Sequence, residues 1–282
     1  MELEYGTDYS YWYQVNEKKL HDTVQASFKK HHYDDETEKF IVDVCNISYF
    51  KHIFDNTVSI FLLPFVSATS RNALLNRGIM FVASTELFAE MLAYTGKYES
   101  LLDIGAGCGN VTIKFSSLFK DVFVTETSPT MRQRLQSKGF TALEVENWSS
   151  RTYDVISCLN VLDRCHEPMK LLEDIRNSLS PTGGSALVAL VLPYHGSVEE
   201  GQVWQPQREP LPIKGGTFEE QLSSLVVDIL EPMGFELNLA TKVPYLCSGD
   251  LQARYYSLSD CLLSLNVRPL TTSSKGNSIG SD

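Results

Sequence analysis

Between Ser100 and Leu192, short apolar runs alternate with segments whose apolar positions recur at helical spacing. Ser100–Ile104, Asp121–Thr125, Tyr153–Cys158 and Ser185–Leu192 are compact enough, and rich enough in Val, Ile and Leu, to predict buried strands. Ala142–Val145 predicts a weaker one. Asn110–Phe119, Pro129–Lys138 and Met169–Leu179 carry the helical period; Ser128 stands at an N-cap and Pro129 at the first helical position. Strands interleaved with helices predict right-handed crossovers and a parallel sheet. Further on, Thr217–Met233 predicts a helix and Phe235–Pro244 a strand, and Tyr255–Val267 alternates as a last antiparallel strand. The expected fold class is therefore α/β, a seven-stranded, Rossmann-like sheet. Residues 1–95 read as a helical, aromatic-rich extension, residues 96–269 as the sheet domain, and residues 270–282, polar and Ser/Gly-rich, as a disordered tail.

The most informative junction is Leu101-Leu102-Asp103-Ile104-Gly105-Ala106-Gly107-Cys108-Gly109-Asn110. A buried strand runs into alternate glycines and then a helix. Gly105 permits a sharp turn, and Gly107 and Gly109 are expected to let a ligand approach the backbone. A dinucleotide fingerprint would place a small residue where Asn110 stands. Asp103, just ahead of the glycines, would repel a pyrophosphate but favour the cationic methionine moiety of S-adenosyl-L-methionine. Glu126 follows the next strand, about twenty residues on, where a carboxylate accepts both ribose hydroxyls. Asn147 and Trp148, after the third strand, stand where adenine is expected; Trp148 either stacks on the base or plugs the core. Asn160 and Asp163 follow the fourth strand and are expected to face the sulfonium and the substrate, although both residue types also suit a helix cap.

Charge narrows the partners. A formal net charge of −11 lacks the basic footprint of a nucleic-acid binder and points to a protein, peptide or small-molecule substrate. Six cysteines without a CxxC pair predict free thiols and no metal knuckle. His31-His32 beside Asp34, Asp35 and Glu36 reads as a solvated charged patch, so no metal is expected. The Ser67–Asn72 segment, with Arg71 and then Arg77, reads as a loop leading toward the site. Met1–Asp8 has neither a basic nor an apolar leader character, and the apolar run Val58–Val66 is about half a membrane span. The chain as written reads as soluble and monomeric. A cytoplasmic location, or an endomembrane or mitochondrial one directed by an upstream segment, both remain open.

Three further stretches resemble one family. Tyr153-Asp154-Val155-Ile156-Ser157-Cys158-Leu159-Asn160-Val161-Leu162-Asp163-Arg164-Cys165, Ala189-Leu190-Val191-Leu192-Pro193-Tyr194-His195 and Pro244-Tyr245-Leu246-Cys247-Ser248-Gly249-Asp250, with Arg77–Val82 upstream, resemble the DREV family, the methyltransferase-like-nine group. The resemblance runs from about Trp12 to Pro269. It implies a protein-histidine N-pros-methyltransferase that uses S-adenosyl-L-methionine and yields 1-methylhistidine in His-x-His motifs with small residues at x. For that chemistry Asp163 is the expected acceptor for the far imidazole nitrogen and Asn160 the residue that orients cofactor and ring; the family pattern also suggests Tyr245, Asp250 and Tyr256 in the substrate groove. Cys108 departs from the acidic or polar residue that many such enzymes carry in the glycine loop. The residues alone leave two alternatives: a methyltransferase acting on a small molecule or another side chain, or a cofactor-binding module without catalysis.

Overall fold

A computed structural model describes residues 8–62, 71, 75, 77–93, 98–201 and 203–268. The tail 270–282 and most of the Ser67–Asn72 loop lie outside the described residues. The architecture is a mixed sheet of eight strands: β1 (Met80–Phe81), β2 (Ser100–Ile104), β3 (Asp121–Thr125), β4 (Thr141–Leu143), β5 (Val155–Leu159), β6 (Ser185–Val191), β9 (Phe235–Ser248) and β10 (Tyr255–Val267). Their order is β1-β9-β10-β6-β5-β2-β3-β4. A separate hairpin, β7 (Ser197–Glu200) with β8 (Val203–Pro206), forms from the Gly/Pro/Gln-rich stretch.

Strands β2 to β6 run parallel, and β6, β10, β9 and β1 pair antiparallel. This is the class I methyltransferase arrangement, in which a parallel sheet ends in an antiparallel hairpin. The extra strand is β1. The N-terminal segment is largely helical, with α1 (Asp22–Ser27), α2 (Asp35–Cys45), α3 (Tyr49–Leu62) and α4 (Thr85–Met91), yet it also supplies this edge strand, which pairs Met80 with Cys247. Two residues are too short for alternation to show in a sequence.

The core follows from the two-residue period of the strands. Leu102, Ile104, Ile156, Cys158, Ala186, Val188, Leu190, Cys261, Leu263 and Leu265 share one apolar cluster with Leu20 and Val24. Their neighbours Leu101, Val155, Leu187, Ala189 and Leu262 fall in the other cluster, with Trp12, Tyr13, Ile41 and Phe88. Both faces are therefore covered, as a parallel sheet requires. Helices α5 (Thr112–Ser116), α6 (Pro129–Ser137) and α7 (Pro168–Ser178) are the crossovers. Ser128 caps α6 through its Oγ, which accepts from Met131 N at 3.4 Å. After Thr217, whose side chain forms a capping box with Glu220, α8 (Phe218–Ser224) widens into a π-helical turn over Leu225–Leu230. No described helix is long and apolar enough to cross a membrane.

The chain leaves β2 for β3 on one side and reaches β5 on the other. The carboxyl ends of β2 and β5 therefore flank the topological switch point, where open α/β sheets bind ligands.

Candidate functional site

The glycine loop leaves β2 with Gly105, Gly107 and Gly109 all at positive φ: +68°, +55° and +77°. An L side chain is strained at each. A Cβ on Gly105 would stand 2.7 Å from Val161 Cγ2, so the loop packs directly on the chain leaving β5. A Cβ on Gly107 would meet nothing within 4 Å, which leaves space beside the backbone for a ligand. Gly109 departs from expectation. A Cβ there would lie 2.7 Å from Leu135 Cδ2, so this glycine admits α6 rather than a ligand. Lys138 braces the same loop, its Nζ donating to Cys108 O at 2.8 Å and Asn110 Oδ1 at 2.5 Å.

Two carboxylates frame the loop. Glu126, nearly buried, follows β3; its Oε2 accepts from Gly107 N at 3.0 Å and its Oε1 from Ser128 N at 2.8 Å. It thereby fixes the loop's open glycine and its own turn; Oε1 also accepts from Thr127 Oγ1 at 3.3 Å, and Oε2, with one donor, keeps a lone pair for a second. Asp103 lies deeper. Its Oδ2 accepts from Thr112 Oγ1 at 2.5 Å and its Oδ1 from Ser157 Oγ at 2.7 Å. Burial pushes its carboxyl up to about 6, against these two hydrogen bonds and with some help from Glu126. Its two oxygens tie β2 to α5 and β5, which favours contact with a ligand through water over direct contact.

After β4, Asn147 is exposed and precedes the 3-10 turn Trp148–Ser150. Trp148 is 5% exposed and belongs to the core, and its carbonyl accepts from Tyr153 Oη at 2.9 Å. Of the two readings of this indole, its burial fits the core plug.

The chain leaves β5 through Asn160, a non-glycine residue at φ +57°. Its N–H donates to Ala189 O at 2.9 Å, and its side-chain Nδ2 donates to Asp260 Oδ2 at 2.7 Å. Asp260 is fully buried in β10, opposite Val191 at the carboxyl end of β6. Asp163 follows one turn later, its Oδ2 3.8 Å from Arg164 Nε. Burial raises the Asp163 carboxyl above its ordinary range, and Arg164 works against this. Asn160 Oδ1, Asp163 Oδ1 and Asp260 Oδ1 are all buried and have no hydrogen-bond partner among the described residues.

Arg164 also lies 6.0 Å from the ring centroid of Tyr245, a β9 residue whose hydroxyl donates to Met80 Sδ at 2.6 Å. Burial pushes that hydroxyl up to about 12. Tyr245 therefore belongs to the β5-exit cluster. Asp250 and Tyr256 stand apart from it, in and beside the β9–β10 turn. Asp250 Oδ1 accepts from Tyr256 Oη at 3.0 Å and Gln252 N at 2.7 Å. The register carries this turn beyond the carboxyl end of β6, so it overhangs the same end of the sheet. Tyr256 is 43% exposed there.

Asp260 and Arg164 are the site residues that sequence reasoning missed. An aspartate within the apolar run Leu258-Ser259-Asp260-Cys261-Leu262 was the available signal. The β7–β8 hairpin also reaches the cluster: Ser197 N donates to Asp163 O at 2.8 Å, and Gln207 Nε2 donates to Leu162 O at 2.7 Å. Elsewhere, His31 Nε2 sits 3.5 Å from Asp34, which caps α2 through Thr37 N.

The donor set fits an adenosyl sulfonium. An open, left-handed Gly107 leaves room for it, Glu126 Oε2 retains a lone pair for a ribose hydroxyl, and orphaned oxygens stand at the β5 exit where a cationic centre would lie. Among solved structures, the chain shares 14% identity with the N-methyltransferase NodS from Bradyrhizobium japonicum in complex with S-adenosyl-L-homocysteine, over 65% of this chain and 85% of that one, at a TM-score of 0.41. It shares 15% identity with magnesium protoporphyrin IX methyltransferase from Synechocystis, also with bound S-adenosyl-L-homocysteine, over 65% and 81%, at 0.43. These likenesses are too distant to speak to substrate. The family model of the DREV methyltransferases matches residues 12–267, nearly the whole described chain. The chain therefore belongs to the DREV methyltransferase family and is an S-adenosylmethionine-dependent methyltransferase.

Proposed function

We propose that the protein is a protein-histidine N-pros-methyltransferase, which methylates the near imidazole nitrogen of histidine in His-x-His motifs with small x and yields 1-methylhistidine. The observation that carries the reading is Asp163 Oδ1, a buried carboxylate oxygen at the carboxyl end of β5 without a donor among the described residues. An unmet buried acceptor costs free energy unless a ligand supplies the proton. A neutral imidazole supplies one. With its far nitrogen donating to Asp163, the ring is held in the tautomer whose near nitrogen presents a lone pair.

S-adenosylmethionine, when bound, supplies an electrophilic methyl on a sulfonium. The residues of this chain then have a positioning task, because displacement needs nucleophile and leaving group in line. Glu126 holds the open glycine of the loop. Asn160 offers amide atoms between cofactor and ring. Asp163 stabilises the imidazolium that develops on transfer. Tyr245 closes the cluster from β9, and the Asp250–Tyr256 pair offers an aromatic face to the peptide. Residues 96–269 carry the chemistry, residues 1–95 wall the cleft, and the enzyme acts as a monomer on proteins rather than nucleic acid.

The test is a peptide panel with isotope-labelled cofactor. We expect label on histidine of Ala-His-Ala-His, and none on a matched peptide with lysine in place of histidine. Label on lysine or on a small molecule, with histidine untouched, overturns the reading.

A further inference from the structure

Among the described residues, the β5-exit cluster sets two acids, Asp163 and Asp260, against one cation, Arg164. Asp260 is enclosed between β6 and β9, with no exposure to solvent. The charged and titratable groups that face it are Asp163 and Arg164 from the loop after β5, Tyr245 from β9 and its own neighbour Cys261 on β10. Arg164 is drawn toward Asp163 and the Tyr245 ring. The side-chain hydrogen bond to Asp260 comes from a neutral amide, Asn160 Nδ2 at 2.7 Å, and the Leu190 backbone adds a further neutral contact. A buried carboxylate held only by neutral donors is poorly compensated, and two carboxylates in one site do not readily ionise together.

The orphaned atoms point to the remedy. Asp260 Oδ1 and Asn160 Oδ1, the atom of each partner that this hydrogen bond leaves out, are both unmet among the described residues. A carboxyl proton turns Asp260 Oδ1 from an acceptor into a donor, and a carboxylic acid and a carboxamide are complementary at both ends. Asn160 also has reason to need a hold, because its left-handed backbone is costly for a residue with a side chain.

We propose that Asp260 is a positioning residue of the methyltransferase site: a neutral carboxylic acid that fixes the carboxamide of Asn160 in one orientation and leaves Asp163 as the only ionised acid of the cluster. This rests on the reading that Asn160 and Asp163 form the reacting end. Burial first, and Asp163 after it, push the Asp260 carboxyl up to about 8, against the Asn160 hydrogen bond and Arg164.

Two variants separate the possibilities. In Asp260→Asn an amide replaces the acid and keeps one donor and one acceptor; Asp260→Ala removes both. Infrared difference spectra of wild type against Asp260→Asn, without any peptide, should show a protonated-carboxyl band in wild type at neutral pH that fades as the pH passes about 8. In transfer to Ala-His-Ala-His, Asp260→Asn should keep kcat within a few-fold, whereas Asp260→Ala should lose roughly tenfold or more in kcat with little change in peptide KM. Identical infrared spectra, or Asp260→Asn as impaired as Asp260→Ala, overturn the proposal. The infrared experiment needs no methyl acceptor, so it decides on Asp260 even if histidine proves to be the wrong substrate. It also decides if Asp260→Ala fails to fold.

Discussion

The two ends of the cleft treat their acids in opposite ways. At the glycine loop, Asp103 and Glu126 have every oxygen bonded: Thr112, Ser157, Gly107 and Ser128 supply the donors. At the β5 exit, Asn160, Asp163 and Asp260 each keep an oxygen with no donor among the described residues. Satisfied buried acids shape a loop in advance. Unsatisfied ones need hydrogen from elsewhere, because buried polar groups are otherwise paired: a carboxyl proton on Asp260 serves the Asn160–Asp260 pair, and Asp163 Oδ1 is left for a ligand. The first end is built to hold, and the second is left to react.

The largest expected effect that tests this contrast is at Asp163. Asp163→Ala should reduce kcat toward the peptide by about 10²–10⁴, the usual scale for a proton-managing side chain, while S-adenosylhomocysteine binding by calorimetry stays within a few-fold. Equal losses in binding and turnover would merge the two ends. Glu126→Ala should show the reverse. Its two backbone hydrogen bonds are charge-assisted, each worth about 1.5–3 kcal/mol. Loss of the loop's shape should therefore weaken cofactor binding about 10–100-fold, with kcat recovering substantially at saturating cofactor. Tyr256→Phe should do least. The Tyr256–Asp250 hydrogen bond is exposed, so stability should shift by less than about 0.5 kcal/mol in thermal unfolding, and only the peptide KM should rise, by a few-fold.

The parallel half of the sheet was legible because its strands are short, buried and bounded by glycines or caps. The sequence reading placed β2, β3 and β10 at their observed limits. The predicted helix over Asn110–Phe119 is shorter in the structure, Thr112–Ser116; at its start Lys138 holds Cys108 and Asn110 in the loop. The hairpin of β7 and β8 was hidden by a composition that signals turns. Asp260 was hidden by alternation itself. A polar residue in Tyr255–Val267 reads as solvent-facing, and only the pairing of β10 between β6 and β9 buries it. The three loop glycines read alike in the sequence, yet a Cβ on Gly105 would meet Val161, one on Gly109 would meet Leu135 of α6, and one on Gly107 would meet nothing within 4 Å; spacing cannot divide them. The family resemblance, not the periodicity, singled out Tyr245, and the structure sets this residue beside Arg164.

The most direct test is a structure of the enzyme with S-adenosylhomocysteine and an Ala-His-Ala-His peptide. The account predicts the far imidazole nitrogen within hydrogen-bond distance of Asp163 and the near nitrogen facing the cofactor sulfur. An imidazole bound elsewhere, or with its far nitrogen toward the sulfur, would contradict it.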